Sequence, residues 1–121
     1  MTKYKSQGLR STFRNARKGV RLALKSEMNI RIHIVIAFFV ILAALLLGLS
    51  SVEICVLLLT IAAVISAEMF NTAIEFSLDA LFHNKYSRLV GMAKDISAGA
   101  VMFASIVAVI IGVALFGKYL F

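Results

Sequence analysis

Three long apolar stretches, in a chain without proline, limit what this sequence can fold into. The first covers residues 32–49, 18 residues in all, and the last covers residues 96–116, 21 residues without a charge. Between them, an apolar helical pattern runs over residues 52–82. A helix of about 20 apolar residues crosses the hydrocarbon core of a bilayer, and 61% of the chain is hydrophobic. The sequence therefore predicts an all-α membrane protein with three transmembrane helices.

The positions of the cations predict how these helices are oriented. Residues 48–51 join the first two spans in a tight hairpin without a cation, and the second connection, residues 83–94, is longer and polar. Nine of the thirteen Lys and Arg residues lie at or before Arg31, and three more lie in the second connection. By the positive-inside rule, the N-terminus is cytoplasmic and the C-terminus lies outside. No A-x-A cleavage site lies near the basic start, so we expect no signal-peptide removal.

The N-terminal segment predicts an amphipathic helix on the membrane surface, over about residues 5–27. Apolar residues such as Leu9 and Phe13 share one helical face, while six Arg and Lys residues occupy another arc. Anionic lipid attracts such cations by about 1 kcal/mol each near the surface, so the net charge of +7 requires no nucleic-acid partner. We expect a single domain, residues 1–121, made of this surface helix and the three spans.

Carboxylates in the second span indicate where a functional site lies. The stretch EMFNTAIEFSLD places four polar residues at steps of three, four and four on one helical face, and we call them the acid stripe: Glu68, Asn71, Glu75 and Asp79. The predicted helix is about 46 Å long at 1.5 Å per residue, so the stripe crosses the inner boundary of a core about 30 Å thick. A polar seam between helices is the structural alternative. Aligned acids repel one another unless cations neutralise them, which favours a functional site.

Further charged residues arrive at the same boundary. Glu27 precedes the first span, and Lys94 and Asp95 open the third. Glu27 and Glu75 offer the oxygen ligands that Mg²⁺ prefers, and Lys94 offers a cation for phosphate. Glu68 lies deepest in the membrane, where it is placed to accept the proton of a lipid hydroxyl. These parts suit phosphoryl transfer, although the sequence contains no glycine-rich or soluble-kinase nucleotide motif.

EMFNTAIEFSLD, followed after the loop by AKD, resembles the signature of the bacterial integral-membrane diacylglycerol kinase family. The resemblance covers nearly the whole chain. It implies a homotrimer in the bacterial cell membrane, with active sites shared between subunits, that transfers the γ-phosphate of MgATP to a lipid alcohol. It implies Glu68 as the base and Glu27 and Glu75 as metal ligands. It also implies four polar groups around the nucleotide, namely Asn71, Tyr86, Lys94 and Asp95.

The acceptor lipid depends on the branch of the family. The stretch SEMNIRIH and the absence of tryptophan resemble the branch that phosphorylates undecaprenol, so we predict an undecaprenol kinase, with diacylglycerol kinase as the alternative. A rival of another class is a small oligomeric cation or proton transporter in which Glu68 titrates inside a pore. That rival, like a purely structural subunit, leaves the charged residues collected at the cytoplasmic boundary unexplained.

Small residues recur every four positions along the third span, at Ala100, Ala104, Ala108 and Gly112. Such spacing is typical of a face on which membrane helices pack closely. The pattern is compatible with the homotrimer that the family resemblance implies.

Overall fold

Four α-helices make up the computed structural model, which describes residues 8–121. They are α1 (Gly8–Ser26), α2 (Met28–Leu47), α3 (Ser51–Phe82) and α4 (Arg88–Leu120). The predicted all-helical fold is confirmed. Residues 5–7, the start of the predicted surface helix, lie outside the described part of the chain.

Helix-terminating residues build the tight hairpin between α2 and α3. Gly48 adopts a left-handed conformation with φ 79° and ψ 35°, and its N–H group bonds to carbonyls in the last turn of α2, a conformation that favours glycine. The Ser50 hydroxyl accepts from the N–H of Glu53 at 3.2 Å, and the Glu53 carboxylate accepts from the N–H of Ser50 at 2.9 Å. This capping box starts α3 at the position where the sequence predicts the second span.

The fourth helix is longer than the span predicted at residues 96–116. Ser87 caps it by accepting from the N–H of Val90 at 3.2 Å, so α4 begins at Arg88. Its first turns are polar and precede the apolar span. Lys94 and Asp95 therefore lie on a helix rather than in a loop.

Helices α2, α3 and α4 are each long and apolar enough to cross a membrane. Large apolar side chains on them, such as Phe38, Leu46 and Phe103, are exposed. Lipid solvates such surfaces, whereas in water they would favour aggregation. The chain is a membrane protein, as its composition predicts.

Packing is tightest between α3 and α4, while α2 lies mainly against α3. At the end of the bundle where α2 meets α3, which we call the hairpin end, Ala44 and Leu57 are buried. There Glu53 forms an ion pair with Lys118 and accepts a hydrogen bond from the Tyr119 hydroxyl at 2.7 Å. These contacts join the start of α3 to the end of α4. We call the opposite end, where α3 connects to α4, the loop end.

Candidate active site

Glu68 is the most buried member of the acid stripe, with 6% of its surface exposed. Its Oε1 lies 2.9 Å from Nδ1 of His33 on α2, a close contact that does not have the geometry of a hydrogen bond. Its other oxygen, Oε2, has no hydrogen-bond partner among residues 8–121. One oxygen of this carboxylate thus lies beside an imidazole, and the other is buried without a hydrogen-bond partner among the described residues.

A polar cavity of about 280 Å³ contains this carboxylate. Glu27, Glu68, Asn71 and Thr72 line it, together with residues of α4. Glu27 reaches it from the residue before α2, where the backbone is extended with φ −123° and ψ 114°. The fold therefore brings together the predicted base, one predicted metal ligand and the predicted amide.

Glu75 lies about one helical turn beyond Asn71, and about two turns beyond Glu68, toward the loop end, and it does not line that cavity. Nδ2 of Asn71 donates a long hydrogen bond, 3.5 Å, to Oε1 of Glu75. The amide therefore connects the second predicted metal ligand to the cavity that holds Glu27 and Glu68.

The number of grouped carboxylates limits how Mg²⁺ can bind to this protein. Within residues 8–121, no three His, Cys, Asp or Glu side chains are grouped closely enough to hold a metal ion. Mg²⁺ commonly uses one or two protein carboxylates and completes its coordination with water and substrate phosphate oxygens. Glu27 and Glu75 are both half-buried at the loop-end side of Glu68, and a Mg²⁺ ion shared between them stays a prediction.

Lys94 forms an ion pair with the last acid of the stripe. Its Nζ donates to Oδ1 of Asp79 at 2.8 Å, and both side chains are about one-third exposed. An ion pair this exposed to solvent contributes little free energy. A phosphate group arriving at this end of α3 would therefore compete effectively for the Lys94 ammonium.

Tyr86 and Asp95 are not brought to the cavity. Tyr86 is 82% exposed, and its ring lies so close to Gly91 that a Cβ atom there would come within 2.8 Å of it. Asp95 is exposed on α4, about 100° around the helix from Lys94. In the part of the chain that the structure describes, neither side chain hydrogen bonds to a member of the acid stripe.

His33 is the site residue that the sequence analysis missed. In the sequence it is an isolated polar residue near the start of an apolar stretch, and that isolation within a span was the available signal. Besides touching Glu68, its half-buried ring lines an apolar cavity of about 360 Å³ between α2, α3 and α4. His33 therefore lies between an apolar cavity and the polar cavity that contains Glu68.

The protein has three helices that are long and apolar enough to cross a membrane, and a cavity lined by carboxylates lies between them. These features are those of a small integral-membrane protein with a polar site inside its helix bundle. Residues 14–116 match the model of the prokaryotic diacylglycerol kinase family. The chain belongs to this family, and the resemblance inferred from its motifs is confirmed.

Two relatives agree with this assignment. The chain is 43% identical over 101 residues to a diacylglycerol kinase of Synechocystis sp., a match that covers 84% of this chain and 58% of the relative. It is 34% identical over 105 residues to the undecaprenol kinase of Bacillus subtilis, covering 87% of this chain and 85% of that protein. The chain thus spans little more than half the length of the first relative and most of the second.

Proposed function

We propose that this protein is a lipid kinase that transfers the γ-phosphate of MgATP to undecaprenol, giving undecaprenyl phosphate. The observation that carries the proposal is Glu68, a buried carboxylate with one oxygen unpartnered within residues 8–121, in a polar cavity that also contains Glu27. An alcohol that reaches this oxygen can give up its proton to it while the alcohol oxygen attacks phosphorus. The family match and the names of both relatives support the kinase class.

Each predicted site residue has a role in this proposal. Glu27 and Glu75 would hold Mg²⁺, which when bound supplies neutralisation of the phosphate charge. Asn71 orients Glu75 through its side-chain amide. Lys94 would bind phosphate oxygens in place of Asp79, its partner in the protomer. Around the rest of the nucleotide we place Tyr86 and Asp95.

Diacylglycerol is the alternative acceptor, and the comparisons divide between the two. The higher identity is to the Synechocystis diacylglycerol kinase, whereas the more complete length match is to the undecaprenol kinase of Bacillus subtilis. Both acceptors are primary alcohols on long apolar tails. The proposed chemistry at Glu68 is the same for each acceptor. Selectivity between them therefore depends on the apolar surface that contacts the lipid tail, and an assay has to measure it.

We also propose that the protein works as a homotrimer with sites shared between subunits. One observation supports this arrangement: Tyr86 and Asp95 do not line the cavity within the protomer. In the small-residue face of α4, Ala108 and Gly112 line the apolar cavity between α2, α3 and α4, so part of that face lies inside one subunit. Helices of neighbouring subunits would bring the remaining polar groups to the site.

The orientation in the bacterial cell membrane is part of the same proposal. The loop end faces the cytoplasm, where ATP is found, and the C-terminus lies outside. Helix α1 lies along the cytoplasmic surface; its apolar residues Leu9 and Phe13 are 75% and 70% exposed in the protomer and would be covered by lipid.

The test is a phosphorylation assay with the purified protein in detergent micelles. MgATP is supplied with undecaprenol or with diacylglycerol, and lipid phosphate is followed over time. The matched control is Glu68→Gln, which keeps the shape of the side chain and removes its basicity. Phosphate on neither lipid above that control would refute the kinase proposal and favour the transporter. Phosphate on diacylglycerol alone would correct the acceptor.

A further inference from the structure

We propose that His33 is a positioning residue for Glu68, and that it determines which carboxylate oxygen receives the proton of the lipid alcohol. This inference rests on the proposed kinase function. Its starting point is the 2.9 Å approach of His33 Nδ1 to Glu68 Oε1 between two different helices. The contact crosses from α2 to α3, so it constrains the carboxylate in a way that α3 alone does not.

The two oxygens of Glu68 are in different surroundings. Oε1 faces the imidazole, and Oε2 is buried without a hydrogen-bond partner among the described residues. An imidazole that carries a proton on Nδ1 can donate to Oε1 once its ring turns into line with that oxygen. The carboxylate plane is then held, and Oε2 is the oxygen without a protein donor. A donor that holds one oxygen of a general base in this way reduces the number of unproductive carboxylate orientations.

The position of the ring relative to the two cavities supports the same role. His33 lines the apolar cavity and Glu68 lines the polar one. A lipid alcohol has an apolar tail and one hydroxyl, so its reacting end belongs at such a boundary between apolar and polar surroundings. The His33 ring lies at that boundary and next to the base.

In the proposed step, His33 neither gives nor accepts a proton. The O–H bond of the alcohol breaks and its proton goes to Oε2 of Glu68. The alcohol oxygen bonds to the γ-phosphorus, and the bond from that phosphorus to the bridging oxygen breaks, releasing ADP. Glu68 later returns its proton to water. Throughout, His33 keeps its Nδ1 proton and holds Oε1.

Two substitutions separate positioning from packing. His33→Phe keeps a planar ring without a donor, and His33→Asn places an amide N–H close to where Nδ1 lies. We expect His33→Phe to lower kcat by roughly 10- to 100-fold, the effect of losing a hydrogen bond to a charged group, with the KM for MgATP unchanged. We expect His33→Asn to recover most of the lost kcat. The lipid phosphorylation assay with both acceptors measures each value.

The control is His83→Asn, which changes the other histidine, at a loop position whose left-handed conformation asparagine tolerates. It should leave kcat unchanged. A double variant adds a second readout: in a Glu68→Asp background, which keeps a base but draws the carboxylate away from Nδ1, His33→Phe should cause no further loss, since both act through one carboxylate.

Four outcomes would overturn the inference: unchanged kcat in His33→Phe, equal losses in the Phe and Asn variants, fully additive losses in the double variant, or a loss in the His83 control as large as that in His33→Phe. An unmodified protein that phosphorylates neither lipid would instead refute the proposed function.

Discussion

Asp79 of α3 and Lys94 of α4 form an ion pair across the loop end, with Oδ1 and Nζ 2.8 Å apart. The pair occupies the end of the acid stripe farthest from Glu68. Both side chains are more than one-third exposed, so the pair adds little to the stability of this contact between α3 and α4.

The first prediction concerns the competition between Asp79 and phosphate for the ammonium group of Lys94. We expect Lys94→Ala to raise the KM for MgATP roughly tenfold or more, because a charge-assisted hydrogen bond to phosphate is lost. Asp79→Asn should leave that KM equal or lower, since it removes a competitor for the same ammonium group. Steady-state kinetics with varied MgATP measures both. A loss of turnover in Asp79→Asn as large as that in Lys94→Ala would show that Asp79 itself acts on the nucleotide.

The second prediction concerns Glu75 and the metal. Glu75→Ala should raise the Mg²⁺ concentration needed for half-maximal turnover, or abolish turnover, because one of the two proposed carboxylate ligands is removed. Assembly should be unaffected, as judged by size-exclusion chromatography in detergent. The measurement is a Mg²⁺ titration at fixed ATP, with Asn71→Ala as a comparison that removes only the amide beside Glu75. An unchanged titration curve in Glu75→Ala would remove this residue from the metal site.

The third prediction separates stability at the hairpin end from catalysis at the other end. Tyr119→Phe deletes the hydroxyl that donates to Glu53 at 2.7 Å. We expect the thermal unfolding midpoint in micelles to fall by a few degrees, while kcat measured well below that midpoint stays unchanged. Differential scanning of the purified protein gives the midpoint. Reduced kcat at an unchanged midpoint would contradict a purely structural role for this contact.

The fourth prediction uses two glycines of α4 that have different surroundings. Gly91→Ala would place a Cβ atom 2.8 Å from the Tyr86 ring, whereas Gly99→Ala would meet no other group within 4 Å. Both changes favour the helix by about 1 kcal/mol, so Gly99→Ala is a matched control. If Tyr86 contacts the nucleotide, Gly91→Ala should displace its ring and raise the KM for MgATP severalfold.

A KM for MgATP that is equal in Gly91→Ala and Gly99→Ala would count against that role. Tyr86→Phe completes the set, because it keeps the ring and removes only the hydroxyl. Its kinetics distinguish a stacking contact from a hydrogen bond.

Much of the helical architecture could be predicted because its causes are local. Span length, the hairpin at Gly48 and the three-four-four spacing of the acid stripe depend on residues close together in the chain. Helix α4 begins before the predicted span of residues 96–116, because its first turns are polar and do not contribute to an apolar stretch, and Ser87 caps them. The family could be identified for the same reason, since its signature is short and contiguous.

The order of residues along the chain was enough to identify an all-helical membrane protein of the prokaryotic diacylglycerol kinase family. The contacts of His33 with Glu68 and of Lys94 with Asp79, and the cavity that Glu27 shares with Asn71, became known from the packed helices. The physical reason is that such contacts depend on the rotation and depth of each helix relative to its neighbours. Those quantities are set by side-chain packing over whole helix faces, and they leave no periodic signal in any single segment.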